Sequence, residues 1–148
     1  MPDTTKLIFP NISARIKQVE GEKYIWDSLR QKWLVLTPEE WVRRHVVEYL
    51  RRECGFAPQL IVEEHPVAIN GMAQRADIVV MGADLKPLMV VECKEPNVKI
   101  SEEVLRQVTR YNNVLRCRYI ALTNGITTYC YEHDGERYIP IKAFPHAK

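Results

Sequence analysis

At 148 residues, 46% hydrophobic and 27% charged, the chain fits one soluble domain with enough apolar material to bury a core. No apolar run approaches the roughly 20 residues of a spanning helix. The opening Met1-Pro2-Asp3-Thr4-Thr5-Lys6 lacks the basic-then-apolar layout of a signal peptide, so a cytoplasmic protein without membrane association is expected. A net charge of +2 argues neither for nor against nucleic acid. Four scattered cysteines (Cys54, Cys93, Cys117, Cys130) with no CxxC pair do not suit a structural zinc site or a disulfide scaffold, and are read as reduced, buried thiols. His45, His65, His133 and His146 are too dispersed to suggest a metal cluster.

In chain order, residues 1–36 read as a β-rich extension. Strands are expected over Arg15–Glu20, Lys23–Asp27 and Lys32–Leu36, separated by turns at Glu20-Gly21-Glu22 and Asp27–Arg30. Thr37 then caps a helix with Pro38 at its first position and Glu40 closing a capping box; Gly55 stops it after Cys54. Strands follow over Gln59–Glu64, Arg75–Met81 and Leu88–Lys94, with turns at Asn70-Gly71 and Gly82–Pro87. A second helix is expected over Ser101–Leu115, opened by a Ser101 capping box and ended near Arg116 and Arg118. Strands over Tyr119–Thr123 and Ile126–Tyr131 meet through Asn124-Gly125, and a last short strand lies near Arg137–Ile141. This order gives an α/β (α+β) fold, a mixed β-sheet flanked by helices, in a single domain over 1–148.

Alternation along a strand puts Leu88, Val90, Glu92 and Lys94 on one face, and Asp77 with Val79 and Met81 on one face of the preceding strand. If these strands pair through Gly82–Pro87, Asp77 meets Glu92 and Lys94 at one sheet end. Two carboxylates there suit a hard divalent cation such as Mg²⁺, which takes few protein oxygens and fills its shell with water and substrate phosphate. A lysine beside them can orient or help deprotonate an attacking water. A salt-bridged strand end is the plain structural alternative for a bare ExK.

Asp77-x14-Glu92-x-Lys94, preceded by Arg75-Ala76, resembles the PD-(D/E)xK nuclease signature, with Ala76 in the usual proline position. Gln107-Val108-Thr109-Arg110-Tyr111 resembles the QxxxY motif of one branch, and Thr37–Arg43 the helix that brings an extra glutamate. With Leu122-Thr123-Asn124-Gly125, these features are similar to the N-terminal nuclease domain of type I restriction enzyme R subunits. The resemblance implies a restriction-endonuclease-like core over 37–131 and Mg²⁺-dependent (Mn²⁺ possible) hydrolysis of DNA phosphodiesters. It implies Asp77, Glu92 and the Cys93 backbone carbonyl as metal ligands, Lys94 as the group assisting water, and Gln107 and Tyr111 as DNA-positioning residues. A length of 148 residues has no room for an ATP-driven motor, so a separate helicase or translocase subunit is the expected partner.

The helical glutamate is read as Glu39, which falls within the apolar face formed by Val42, Val46, Tyr49 and Leu50 at about 100° per residue; Glu40 stays an alternative, though explained by the cap. Arg43, Arg44, Arg51 and Arg52, with Arg106, Arg110, Arg116 and Arg118, are read either as phosphate contacts or as solvated helix faces. Two other functions stay open: a non-catalytic DNA-binding or interaction module, and a nuclease acting on RNA.

Overall fold

A computed structural model describes residues 4–148; Met1-Pro2-Asp3, part of the opening read above for a signal peptide, lies outside the described residues. Strands β1 (Ile16–Val19), β2 (Glu22–Asp27) and β3 (Lys32–Val35) form an antiparallel sheet in that order. Helix α1 (Pro38–Arg52) follows, then a 3-10 turn (Pro58–Leu60), β4 (Ile61–Ile69), β5 (Met72–Met81) and β6 (Pro87–Cys93). Helix α2 (Glu102–Leu115) leads to β7 (Tyr119–Thr123), β8 (Thr128–His133) and β9 (Tyr138–Ile141). The last six strands form one mixed sheet in sequential order, antiparallel except where α2 carries the chain from β6 to parallel β7. Among the described residues no helix is long and apolar enough to cross a membrane.

Both faces of this sheet are covered, which is why its inner strands read as near-continuous apolar runs. Val42, Val46, Val47 and Leu50 of α1 pack over Ile78, Val80, Met89, Val91 and Cys93. On the other face Val104, Val108 and Tyr111 of α2 pack over Val79, Val90, Ile120 and Leu122. The alternation of Ile78/Val80 and Val79 between these clusters is the period of two expected of a strand buried on both sides. All four cysteines are free and buried, as the sequence suggested.

Thr37 caps α1 as expected, its hydroxyl accepting the Glu40 N–H at 3.0 Å. The reciprocal half of the box is replaced: the Glu40 carboxylate is engaged by Arg43 and Arg44 instead. For α2 the expected capping box is absent. Val104 holds the third position after Ser101, and the Ser101 side chain makes no capping hydrogen bond. Strand β4 also outruns its expected end at Glu64, continuing through Pro66 to Ile69. It is an edge strand, so the missing proline N–H faces outward at little cost.

Gly125 sits at φ +84, and a Cβ there would lie 2.7 Å from Leu7 Cδ2 and 3.2 Å from Val42 Cγ2. Left-handed backbone and a filled space both select glycine. Gly125→Ala is expected to lower unfolding free energy by about 2 kcal/mol, read from the urea midpoint.

Candidate active site

The β5–β6 ladder runs Ile78↔Val91, Val79↔Val90 and Val80↔Met89. One step further toward the open end, the Asp77 and Glu92 carboxyls come together and interact directly. On its other side Asp77 has an interrupted ladder: β4 pairs Glu63↔Ile78 and His65↔Ala76, while Glu64 between them turns to φ +51. Backbone in that region is uncommon for a side-chain-bearing residue and costs on the order of 1 kcal/mol or more. Here it redirects Glu64 toward Arg30, 2.5 Å away.

Asp77 is held from two directions. Its Oδ2 accepts the Cys93 N–H at 2.8 Å, and Arg43 Nη2 reaches Oδ1 at 3.2 Å from α1. The same guanidinium contacts Glu39 Oε2 at 3.3 Å, and its Nη1 pairs with Glu40 Oε1 at 2.8 Å. Burial works against the Arg43 charge, yet the Glu40 and Asp77 carboxylates hold it above its ordinary range.

Glu92 is buried, and Lys94 Nζ lies 3.5 Å from its Oε2. Burial first, then the neighbouring Asp77 carboxylate, push the Glu92 carboxyl up to about 8, with Lys94 offsetting part of the effect. A hydrogen bond to Asp77 acts in the same direction. At neutral pH the buried Glu92 carboxyl therefore keeps its proton. Burial followed by Asp77 also raises Glu39, less strongly.

The donor set fits a hard divalent cation. Glu92 Oε1 is buried with no protein donor bonded to it, and Asp77 adds a second carboxylate beside it. Among the described residues no group of three or more His, Cys, Asp or Glu side chains forms a ready-made metal cage. Two carboxylates match the sparse coordination Mg²⁺ accepts.

Several expected members come together here. Tyr111 is buried on the α2 face; burial and then Glu92 raise its phenol. Its hydroxyl accepts from Gln107 Nε2 at 3.1 Å and donates toward Gln74 Oε1 at 3.4 Å. Glu39, Lys94, Gln107 and Arg110 line one cleft of about 540 Å³. Glu39 is not buried in the apolar face as its helical position suggested: its side chain is 43% exposed, whereas Glu40 is buried between two arginines.

Two of the arginines expected at the surface are not there. Arg43 and Arg44 are neither solvated nor free for phosphate. Arg44 pairs with Asp27, Glu40 and Glu63, tying α1 to β2 and β4. Arg116 ends α2 at φ +58, and Arg118 pairs with Glu132 at 2.6 Å.

The role of Asn124 was missed by residue-level reasoning. Its Oδ1 accepts the Ile126 and Thr127 N–H groups, while its Nδ2 donates to Val98 O in the segment after Lys94. The Lys94 N–H itself bonds Thr123 O at 2.9 Å. The Thr123-Asn124 turn thus fixes the backbone on both sides of the catalytic candidate Lys94. An Asn-Gly pair between two strands signalled the turn, but nothing local signalled its long-range partner.

A family model described as type I restriction enzyme R protein N terminus matches residues 38–145. A solved chain described as a fragment of an HsdR subunit of a type I restriction enzyme from Vibrio vulnificus YJ016 superposes with a TM-score of 0.59 at 22% identity. That match covers 75% of this chain and 24% of the solved one, so the chain spans about a quarter of its solved neighbour. No curated protein matches the sequence.

Proposed function

The chain belongs to the type I restriction enzyme R protein N-terminus family, and from that premise we propose that it is an Mg²⁺-dependent endonuclease domain of PD-(D/E)xK type, hydrolysing DNA phosphodiesters. The observation that carries this reading is the meeting of Asp77, Glu92 and Lys94 at one sheet end, with Glu92 buried and its carboxyl raised to about 8.

Asp77, Glu92 and the Cys93 carbonyl would hold the ion. When bound, Mg²⁺ supplies Lewis acidity toward water and phosphate oxygens at neutral pH. To hold a cation Glu92 would have to release its proton, so occupancy would rise with pH. Asp77 keeps its orientation through the Cys93 N–H and Arg43. The Lys94 ammonium, near the mouth of the cleft, orients the attacking water or stabilises charge on the phosphate. Gln107, on the cleft wall and bonded to Tyr111, positions the strand. Glu39 tunes the field at the entrance. A cytoplasmic setting and a role within a type I restriction enzyme complex complete the reading.

The test is incubation of purified protein with linear, circular and single-stranded DNA, and with RNA, in Mg²⁺, Mn²⁺ or EDTA. Cleavage of DNA that needs the metal and is lost in Asp77→Asn is the expected result. Cleavage of RNA alone would move the substrate. Cleavage unchanged in Asp77→Asn would place the activity elsewhere.

A further inference from the structure

Between the N-terminal sheet and the second half of α1 lies a pocket of about 190 Å³, away from the acidic centre. Arg15, Arg44, Arg51 and Arg52 line it together with Ser28 and Glu48. Arg44 forms the floor and is already matched by Asp27, Glu40 and Glu63. The rim is not matched. Glu48 is the one rim carboxylate, and both Arg51 and Arg52 draw on it, at 3.0 and 2.8 Å. Arg51 also reaches the Ser28 hydroxyl at 3.3 Å. Among the described residues Arg15 forms no ion pair; its guanidinium lies over Trp26 and Trp33, at 5.0 and 5.5 Å from the ring centroids.

Guanidiniums in excess of carboxylates, with hydroxyls beside them, make a phosphate-binding composition. The surroundings narrow its source. Trp26 and Trp33 sit face to edge, 5.2 Å apart, on the outer side of the β2–β3 pair, and Lys17 Nζ lies 4.5 Å from the Trp33 ring. Half-exposed aromatic rings interleaved with cations are what a nucleic-acid strand uses, rings for bases and cations for its backbone. A free inorganic anion has no use for them. The distance also suits a strand: from Glu39 to Arg51 is about 18 Å along a helix axis, or about five nucleotides at roughly 3.4 Å of rise each.

We propose that this pocket and the adjoining tryptophan face form a second nucleic-acid contact, which holds a backbone phosphate of the strand whose scissile bond lies at the acidic centre. It takes its ligand class from the function proposed above but not its chemistry, since binding here needs neither metal nor cleavage. The site lies largely before residue 38, ahead of the span the family model matches.

The experiment is fluorescence anisotropy of a labelled oligothymidylate of about 12 nucleotides, in EDTA, with Asp77→Asn protein so that nothing is cut. Arg15→Gln with Arg51→Gln is expected to weaken binding about tenfold and to reduce the slope of log affinity against log salt by about 1.4. Arg15→Gln alone, on an exposed side chain without an ion pair, should give about half that slope change and guards against misfolding of the double variant. Removing the same charge elsewhere, with Lys86→Gln and Lys142→Gln, should change affinity less than about twofold. Equal losses for the two pairs, or no loss for the arginines, overturn the proposal. So does inorganic phosphate binding that needs Arg15 and Arg51 while oligonucleotide binding does not. A failure of metal-dependent cleavage with arginine-dependent binding intact would leave this contact standing and remove only the nuclease reading.

Discussion

Lys94→Ala is expected to slow DNA cleavage by about 100- to 1,000-fold, the usual range for one electrostatic donor aimed at developing charge, while the stability gained from Mg²⁺ stays largely in place. The ammonium sits 3.5 Å from Glu92 Oε2 and is about a quarter exposed, at the rim rather than among the oxygens that would hold an ion. Two opposing effects follow from its loss. A positive charge beside the two carboxylates disappears, which favours a cation. The same charge lowers Glu92's affinity for protons, so without it protons compete harder for the site. Above about pH 8 the second effect fades, and the thermal shift with Mg²⁺ should match or exceed that of the wild type. Rate and metal titration are measured on the same preparations. A mutant that cuts at the wild-type rate would detach the activity from this site. If neither protein cuts, a non-catalytic DNA-binding or interaction module becomes the better account.

The β5–β6 hairpin was legible because its signals are local: a turn, two apolar runs and a period of two set the ladder from Ile78↔Val91 to Val80↔Met89, and Asp77 and Glu92 meet just beyond it. The same period on β6, with β7 pairing beside it, accounts for the doubly covered sheet. What escaped was set by contacts between elements distant in sequence. Helical periodicity made Arg43 and Arg44 surface residues and left Glu40 as a cap, yet all three are buried. Arg44 is buried against Asp27 from β2 and Glu63 from β4, and Arg43 against Asp77 from β5, all more than a dozen residues away. No window around α1 contains those partners. The N-terminal sheet, legible as three short strands, gave no sign that it would lie against α1 and bury this network. Glu39 illustrates the reverse error: apolar spacing pointed it inward, but a first-turn residue at the sheet's open end has little above it to be buried by, and it stays half in solvent.

Glu92→Gln is expected to abolish cleavage and, in EDTA, to make the protein more stable than wild type at alkaline pH. In the folded chain burial and Asp77 raise the Glu92 carboxyl from 4.5 to about 8. Below pH 4.5 the group is protonated in both folded and unfolded chains, and the favourable Glu92 contacts are fully present. As pH rises toward about 8 the unfolded chain ionises first and binds fewer protons than the native one, so stability falls. Above about 8 the buried charge must also form in the native state, and the loss is complete. One pKa unit corresponds to about 1.4 kcal/mol; with relaxation of the coupled pair and water entry discounted, the loss at about pH 9 is on the order of 3 kcal/mol. Glutamine keeps the shape and carries no proton equilibrium, so this component of the pH dependence vanishes; the smaller, same-signed contribution of Glu39 remains in both proteins. Urea unfolding between about pH 4 and 9 should give curves that meet at the acid end and separate toward the alkaline end, glutamine above. Mg²⁺ should close the gap from the wild-type side, because a cation would replace the proton on Glu92. Parallel curves, or equal gains from Mg²⁺, would show that Glu92 neither carries a raised carboxyl nor holds a metal, and the site would reduce to a salt-bridged strand end.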